Sequence, residues 1–187
     1  MIHDFRQKLA FSMAERQAFD KELLKNAIVG CVSVEKTNEE TDKTGVDYVA
    51  TLRRGAKVMI DAKARERGAS KYWKHGEPEL ALELWSVCPS ADNPDGKTGW
   101  TLSESTGVDM ILYTFAPADC NMFYLIPFQF LRMAFYHHCR EWMRQYDVKF
   151  QSSGTWRSQA VFVPASVVLA SVNGEMTGCV TSKVISA

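Results

Sequence analysis

The sequence predicts an α/β fold: one domain in which a central mixed β-sheet is flanked by helices. Three observations carry that expectation. Apolar residues recur at helical spacing near the N-terminus and again after Pro127. Other stretches are short, rich in β-branched and aromatic residues, and bounded by Gly, Pro or Asp, as strands are. The length of 187 residues, with 46% apolar and 24% charged residues, fills one soluble domain and is short for two.

The elements follow in order. Residues 4 to 28 read as a helix, because Leu9, Met13, Phe19, Leu23, Leu24 and Ala27 fall on one broad face and Gly30 offers a stop. "AIVGCVSVE" then begins a strand, and "EKTNEETDKT" reads as a polar loop. "VDYVATLRR" and "AKVMIDAKAR" read as a hairpin around Gly55. "LALELWSV" is a third strand of the sheet, and "CPSADNPDGKTG" is turn chemistry throughout. "VDMILYTF" and "NMFYLI" read as the next two strands. From Pro127 to Tyr146 the pattern turns helical, with Leu131, Ala134, Phe135, His138 and Trp142 along its apolar side. The tail reads as further strands, "QAVFVP" and "SVVLASV". No repeat, long linker or low-complexity segment divides the chain, so residues 1–187 are expected to be one domain, with a core over about 5–146 and a strand-rich tail over 147–187.

Charge and cysteine usage narrow the function classes. Lys plus Arg equals Asp plus Glu at 22 each, so a polyanionic partner would have to be met by local clustering. The five cysteines are scattered, odd in number and without a CxxC pair, which argues against a disulfide framework and a structural zinc site. "MIHDFRQKLAFSMAERQ" is charged throughout and lacks the apolar core of a signal peptide. "NMFYLIPFQFLRMAFYHHC" is interrupted by Pro127, Gln129 and Arg132 and is no membrane span. A soluble, cytoplasmic protein with no membrane partner is the expectation. No Walker A loop, dinucleotide fingerprint or GxSxG elbow is present. "HHC" at His137 to Cys139 reads as packing and solvent, since adjacent helical residues diverge too far to chelate together.

The hairpin carries unusual charge. Along its second strand Val58, Ile60, Ala62 and Ala64 share one face, and Met59, Asp61, Lys63 and Arg65 share the other. One reading is simply a hairpin with a solvated face. The other rests on placement. Asp47 stands at the start of its strand, and Asp61 and Lys63 flank a single residue, so two carboxylates, an ammonium and the Ala62 carbonyl surround one small volume. Two carboxylates and a carbonyl are hard ligands suited to Mg²⁺, with Mn²⁺ as a substitute. A lysine beside them can orient water or take its proton, which suits attack on a phosphodiester.

Asp, then a strand and a turn, then Asp-x-Lys on the next strand resembles the PD-(D/E)XK nuclease superfamily. The motif stands as "GVD" at Asp47 and "IDAK" at Asp61 and Lys63, with Val46 where the family's usual proline would be. More narrowly, "TGVDYVATL", "IDAKAR", "LELWSV" and "GKTGW" resemble small nuclease-like proteins encoded by phages and prophages. The resemblance covers residues 5 to 146 and implies a restriction-endonuclease-like core, DNA as the partner and Mg²⁺ as the cofactor. It implies that Asp47 and Asp61 hold metal and that Lys63 positions or activates water.

The resemblance also implies an acid from the preceding helix, for which Glu15, Asp20 and Glu22 are candidates. Asp20 falls within the helix's apolar face, while Glu15 and Glu22 project away. An inward carboxylate is costly unless paired or metal-bound, which ranks Asp20 first; an Arg16–Asp20 bridge is the plainer account. Between Arg53 and Lys74 the chain is strongly basic, and Arg65, Arg67, Lys71 and Trp73 are the expected DNA contacts. Glu83 is a candidate for the cleft, and Lys97 and Trp100 for a lid. The expected activity is Mg²⁺-dependent DNA hydrolysis by Asp47, Asp61, Lys63 and Asp20. A non-catalytic nucleic-acid-binding module, and a phage accessory protein that binds a host protein, are the competing classes; a homodimer is left open.

Overall fold

The computed structural model describes residues 17, 19–38, 45–65, 73–103, 107–115, 122–153 and 156–178. In chain order these residues form helix α1 (19–27), β1 (Cys31–Lys36), β2 (Tyr48–Leu52), β3 (Lys57–Arg65), β4 (Glu79–Val87), β5 (Lys97–Thr98), β6 (Met110–Phe115), β7 (Phe123–Pro127), α2 (Phe128–Gln145), β8 (Asp147–Ser153), β9 (Trp156–Pro164) and α3 (Ala165–Gly178). The rest of the predicted first helix, with Glu15 and Arg16, lies outside the described residues, as do Arg67 and Lys71.

The architecture is α/β, but it is built on two sheets where the sequence led us to expect one. Sheet A has the order β1-β2-β3-β6-β7, and sheet B the order β5-β4-β9-β8. In sheet A the meander β1-β2-β3 is antiparallel, β6 runs parallel to β3, and β7 returns antiparallel to β6. Parallel neighbours need a crossover connection. The described part of that crossover holds β4 and β5, which belong to the wholly antiparallel sheet B.

Alternation on β3 divides the core. Ile60 joins Leu24 of α1, Tyr48, Ala50 and Leu112 in one cluster, with Val58 and Ala62 packed against it. Val49 and Met59 instead pack against the larger cluster, which includes Ile111, Tyr113 and Phe115 of β6 and extends to Leu80, Leu82, Val161 and Val163 of sheet B. Helix α1 therefore covers one face of sheet A, and sheet B crosses the other, where the backbone N–H of Ala81 donates to the Tyr113 hydroxyl at 2.8 Å. The turn between β2 and β3 places Gly55 at φ 79°, a conformation that side chains with a Cβ rarely adopt.

Helix α2 starts where expected, Pro127 serving as its N-cap, and buries Phe128, Leu131, Ala134, Phe135 and Trp142. It packs on α3, and α3 packs on β4 and β9. The tail departs most from expectation. "SVVLASV" lies within helix α3, not a strand, and burying Ala165, Val168 and Val172 outweighs the weak helix preference of its valines. The helix start is secured from afar: Glu77 accepts the Ser166 N–H at 3.1 Å and its hydroxyl at 2.8 Å. Residues Asp147–Ser153, which carry no predicted element, form β8 beside β9.

Candidate metal centre

Asp47, Asp61 and Lys63 meet where β2 leaves the ladder. The Asp47 N–H still donates to the Ile60 carbonyl at 2.9 Å, but the strand alternation does not continue through Val46, which packs in the sheet B cluster and not with Tyr48. Thr37 secures this departure, donating its N–H to the Asp47 carbonyl at 2.9 Å and its hydroxyl to the Val46 carbonyl. Past the end of the β2 ladder, the Ala62 N–H of β3 donates to the Asp47 carboxylate at 2.7 Å. That bond fixes the first acid at the rim of β3.

The second acid is nearly enclosed. Asp61 is 5% exposed, and its Oδ1 lies 2.8 Å from the Lys63 ammonium. Its carboxyl is pushed up to about 6: burial raises it most, Lys63 pulls it down, and the adjacent Asp47 raises it further by charge and hydrogen bond. Two carboxylates are thus held close together with one ammonium between them and solvent. Lys63 stays partly exposed and also sits 5.4 Å from the centre of the Trp100 ring.

Trp100 comes from the segment after β5. Glu83 on β4 accepts the Trp100 N–H at 3.2 Å and the Ser86 hydroxyl at 2.8 Å. Gly99 lies so close to β4 that a Cβ there would stand 2.3 Å from the Glu83 carbonyl oxygen. The indole then stacks on Phe128 at 6.4 Å. Glu83 therefore anchors the segment that brings Trp100 to Lys63.

Asp20 is placed elsewhere. It is fully buried, and the Tyr48 hydroxyl donates to its Oδ2 at 3.2 Å. Tyr48 belongs to the α1-covered face, whereas Asp61 and Lys63 point to the other face of β3. Among the described residues no three His, Cys, Asp or Glu side chains gather as a ligand set, so the expected third carboxylate does not join the pair. The helical spacing located an inward acid correctly, but it carried no information on which sheet face the helix covers.

The expected DNA contacts also redistribute. Trp73 is partly buried, packing edge-on against Phe115 at 5.6 Å beside the larger core cluster. Arg53 and Arg54 stand at the turn end of the hairpin, the opposite end from Asp47. Arg65 remains beside the site, two residues past Lys63 on the same strand, with its guanidinium 4.8 Å from the Phe162 ring. Lys149 approaches the same ring at 4.5 Å. Neither Lys149 nor Phe162 entered the sequence reading; the available signal was the alternation of Lys149 with Val148 and Phe150 in "DVKFQSS".

His137 pairs with Glu175 of α3 at 2.6 Å, and His138 stacks on Trp142. Asp109 serves backbone: its carboxylate accepts the Met59 N–H at 2.8 Å, and its carbonyl accepts the Phe128 N–H at 2.9 Å. No helix among the described residues is long and apolar enough to cross a membrane. No family model, curated protein or solved structure matches the chain.

Proposed function

We propose that the chain is a Mg²⁺-dependent nuclease with a restriction-endonuclease-like core, hydrolysing DNA phosphodiester bonds at Asp47, Asp61 and Lys63. One observation carries the reading: a buried aspartate with its carboxyl pushed up to about 6 stands beside a second carboxylate and within 2.8 Å of an ammonium. Close carboxylates at a strand end form a site that a divalent cation would relieve. The element order supports the same reading, with Asp47 before β2, Asp-x-Lys on β3 and a following strand parallel to β3.

The donor set fits Mg²⁺, which takes one or two carboxylates and keeps several waters. Asp47 and Asp61 would hold it. The Ala62 carbonyl would add a third oxygen from the same edge of β3, because the N–H and C=O of one strand residue point the same way. The cation would supply charge stabilisation for the crowded phosphate oxygens. The remaining work falls to the chain. With a cation held by Asp61, Lys63 would be free to turn its ammonium toward the phosphate or the attacking water. Trp100 gives that ammonium a second seat and shields it from bulk water. The Ala62 N–H keeps Asp47 from rotating away from the rim.

The test is cleavage of plasmid and oligonucleotide DNA with Mg²⁺ against the same reaction in EDTA. We expect activity that Asp61→Ala and Lys63→Ala each remove; cleavage by either variant at the unmutated rate would defeat the assignment. A second reading has its own support, because the Lys63–Asp61 ion pair already satisfies both groups without a cation. On that reading the fold is a nucleic-acid-binding module, and binding would depend on salt with no turnover in Mg²⁺.

A further inference from the structure

We propose that a nucleic-acid strand leaving the Asp47–Asp61–Lys63 cluster is gripped through its phosphates by a cationic track of Arg65, Lys149 and Lys74, laid over Phe162 where sheet B meets the end of β3. The inference rests on the nuclease reading for why a strand lies there, but its evidence is separate.

The track starts on β3. Lys63 and Arg65 alternate onto the same face, which sets them about 7 Å apart along the strand. The Arg65 guanidinium lies 4.8 Å from the Phe162 ring and the Lys149 ammonium 4.5 Å from it, so two like charges converge on one side chain. Like charges gathered around one ring repel, and an anion reaching both relieves that repulsion. Among the described residues Asp147 stands directly across the ladder from Phe162, and the buried Glu79 carboxylate accepts the Lys74 backbone N–H at 3.1 Å. Asp147 is already shared by Lys74 at 2.7 Å and Lys149 at 3.9 Å. Arg65 gains nothing from it: among the described residues its Nε is buried and finds no hydrogen-bond acceptor. Lys74 and Lys149 thus share one carboxylate, and Arg65 meets Lys149 only through the Phe162 ring.

This local excess is not a reflection of composition, since the whole chain balances 22 basic against 22 acidic residues. Its shape identifies the ligand class. The cations are linked as a chain of contacts, Arg65 of β3 to Phe162 to Lys149 of β8 to Asp147 to Lys74, so a small anion would engage only one or two of them. A chain of regularly spaced phosphates would engage them in succession. Two cations already crowd the Phe162 ring, which leaves it as the floor of the track, not a platform for a base. Binding should therefore be indifferent to base sequence.

The test is binding of the full chain to fluorescein-labelled oligonucleotides, single-stranded and duplex, followed by anisotropy in EDTA over a range of salt. Lys149→Ala should weaken binding to every sequence alike and lower the slope of log affinity against log salt by about 0.7 for single strands or about 0.9 for duplex. Lys74→Ala should add a similar decrement. Arg65→Gln should weaken binding, and Arg65→Lys should recover much of it, separating charge from packing. Arg53→Gln and Arg54→Gln, at the far turn, should leave the slope unchanged. Wild-type binding whose slope survives Lys149→Ala and Lys74→Ala would overturn the track and leave the nuclease reading standing. No salt-dependent binding by the wild type would also overturn it, and the nuclease reading would fall with it only if Mg²⁺-dependent cleavage were absent too.

Discussion

Sheet A holds a buried aspartate on each side, and the two are provided for differently. Asp20, on the side covered by α1, is held by the neutral Tyr48 hydroxyl among Leu24, Ile60 and Leu112. Asp61, on the side crossed by sheet B, has an ammonium at 2.8 Å and a second carboxylate beside it. A carboxylate pair with one mobile lysine leaves a charge imbalance that a cation and a phosphate can take up. Burial is common to both acids; the ammonium and the second carboxylate are what set Asp61 apart as the proposed metal ligand.

The largest expected effect breaks the comparison outright. Asp61→Ala should lower Mg²⁺-dependent cleavage by at least about a hundredfold, the scale of losing a positioned catalytic group. Asp20→Ala, assayed where it remains folded, should cleave within a few-fold of the unmutated chain. Equal loss in both variants would mean that the two faces share one function.

Next in size is stability. Asp20→Ala removes a buried acceptor of the Tyr48 hydroxyl and should cost about 1–3 kcal/mol in chemical denaturation. Gly99→Ala probes the sheet B side on the same scale: its Cβ would stand 2.3 Å from the Glu83 carbonyl, and overpacking of this kind costs about 1–3 kcal/mol. A Gly99→Ala protein of unchanged stability would show that the segment carrying Trp100 is not held tightly against β4.

A pH series sharpens the contrast further. The Asp61 carboxyl stands at about 6 in the fold against an ordinary 3.8, so the folded state holds a proton that the unfolded chain has already released across that interval. The stabilisation this provides is full below about pH 4 and is lost as pH rises through about 6. Asp61→Asn, which keeps the shape without the charge, should therefore gain in melting temperature relative to the unmutated chain as pH rises through that window. Added Mg²⁺ should narrow the gap at pH 8 by stabilising only the carboxylate form. A difference that is flat with pH would remove the strained carboxylate from the account. Smallest is Trp100→Leu, which should lower the cleavage rate by a factor of about 2–5, matching a partly exposed cation–π contact of about 0.5–1 kcal/mol.

Much of sheet A was legible in the sequence because its signals are local. Gly55 marks the hairpin turn, and alternation from Val58 to Arg65 sorted every β3 side chain to the correct face. The union of Asp47 with Asp61 and Lys63 followed from that alternation and from hairpin pairing. Sheet B was not legible, because what decides it is remote. The valines of "SVVLASV" favour a strand by themselves, and only Glu77, 89 positions before Ser166, caps the helix they form. Strand β9 finds its place between β4 and β8 through partners such as Leu80 opposite Val163, a pairing no local pattern announces. For the same reason Lys149 could not be connected with Arg65. The position of Asp20 failed more narrowly: periodicity shows that a residue faces inward, not which sheet surface awaits it.

The interior position of β9 also has a consequence for how the chain acquires its shape. Until residues up to Pro164 are available, β4 has only the two-residue β5 beside it and presents the rest of its other edge unpaired. Sheet A can close from the meander, β6 and β7 beforehand, so the order of synthesis leaves an interval in which one sheet is complete and the other is a template awaiting its middle strand. During that interval the open edge of β4 is the point most exposed to pairing with another chain, and rapid arrival of the β8–β9 hairpin is the fold's own protection against it.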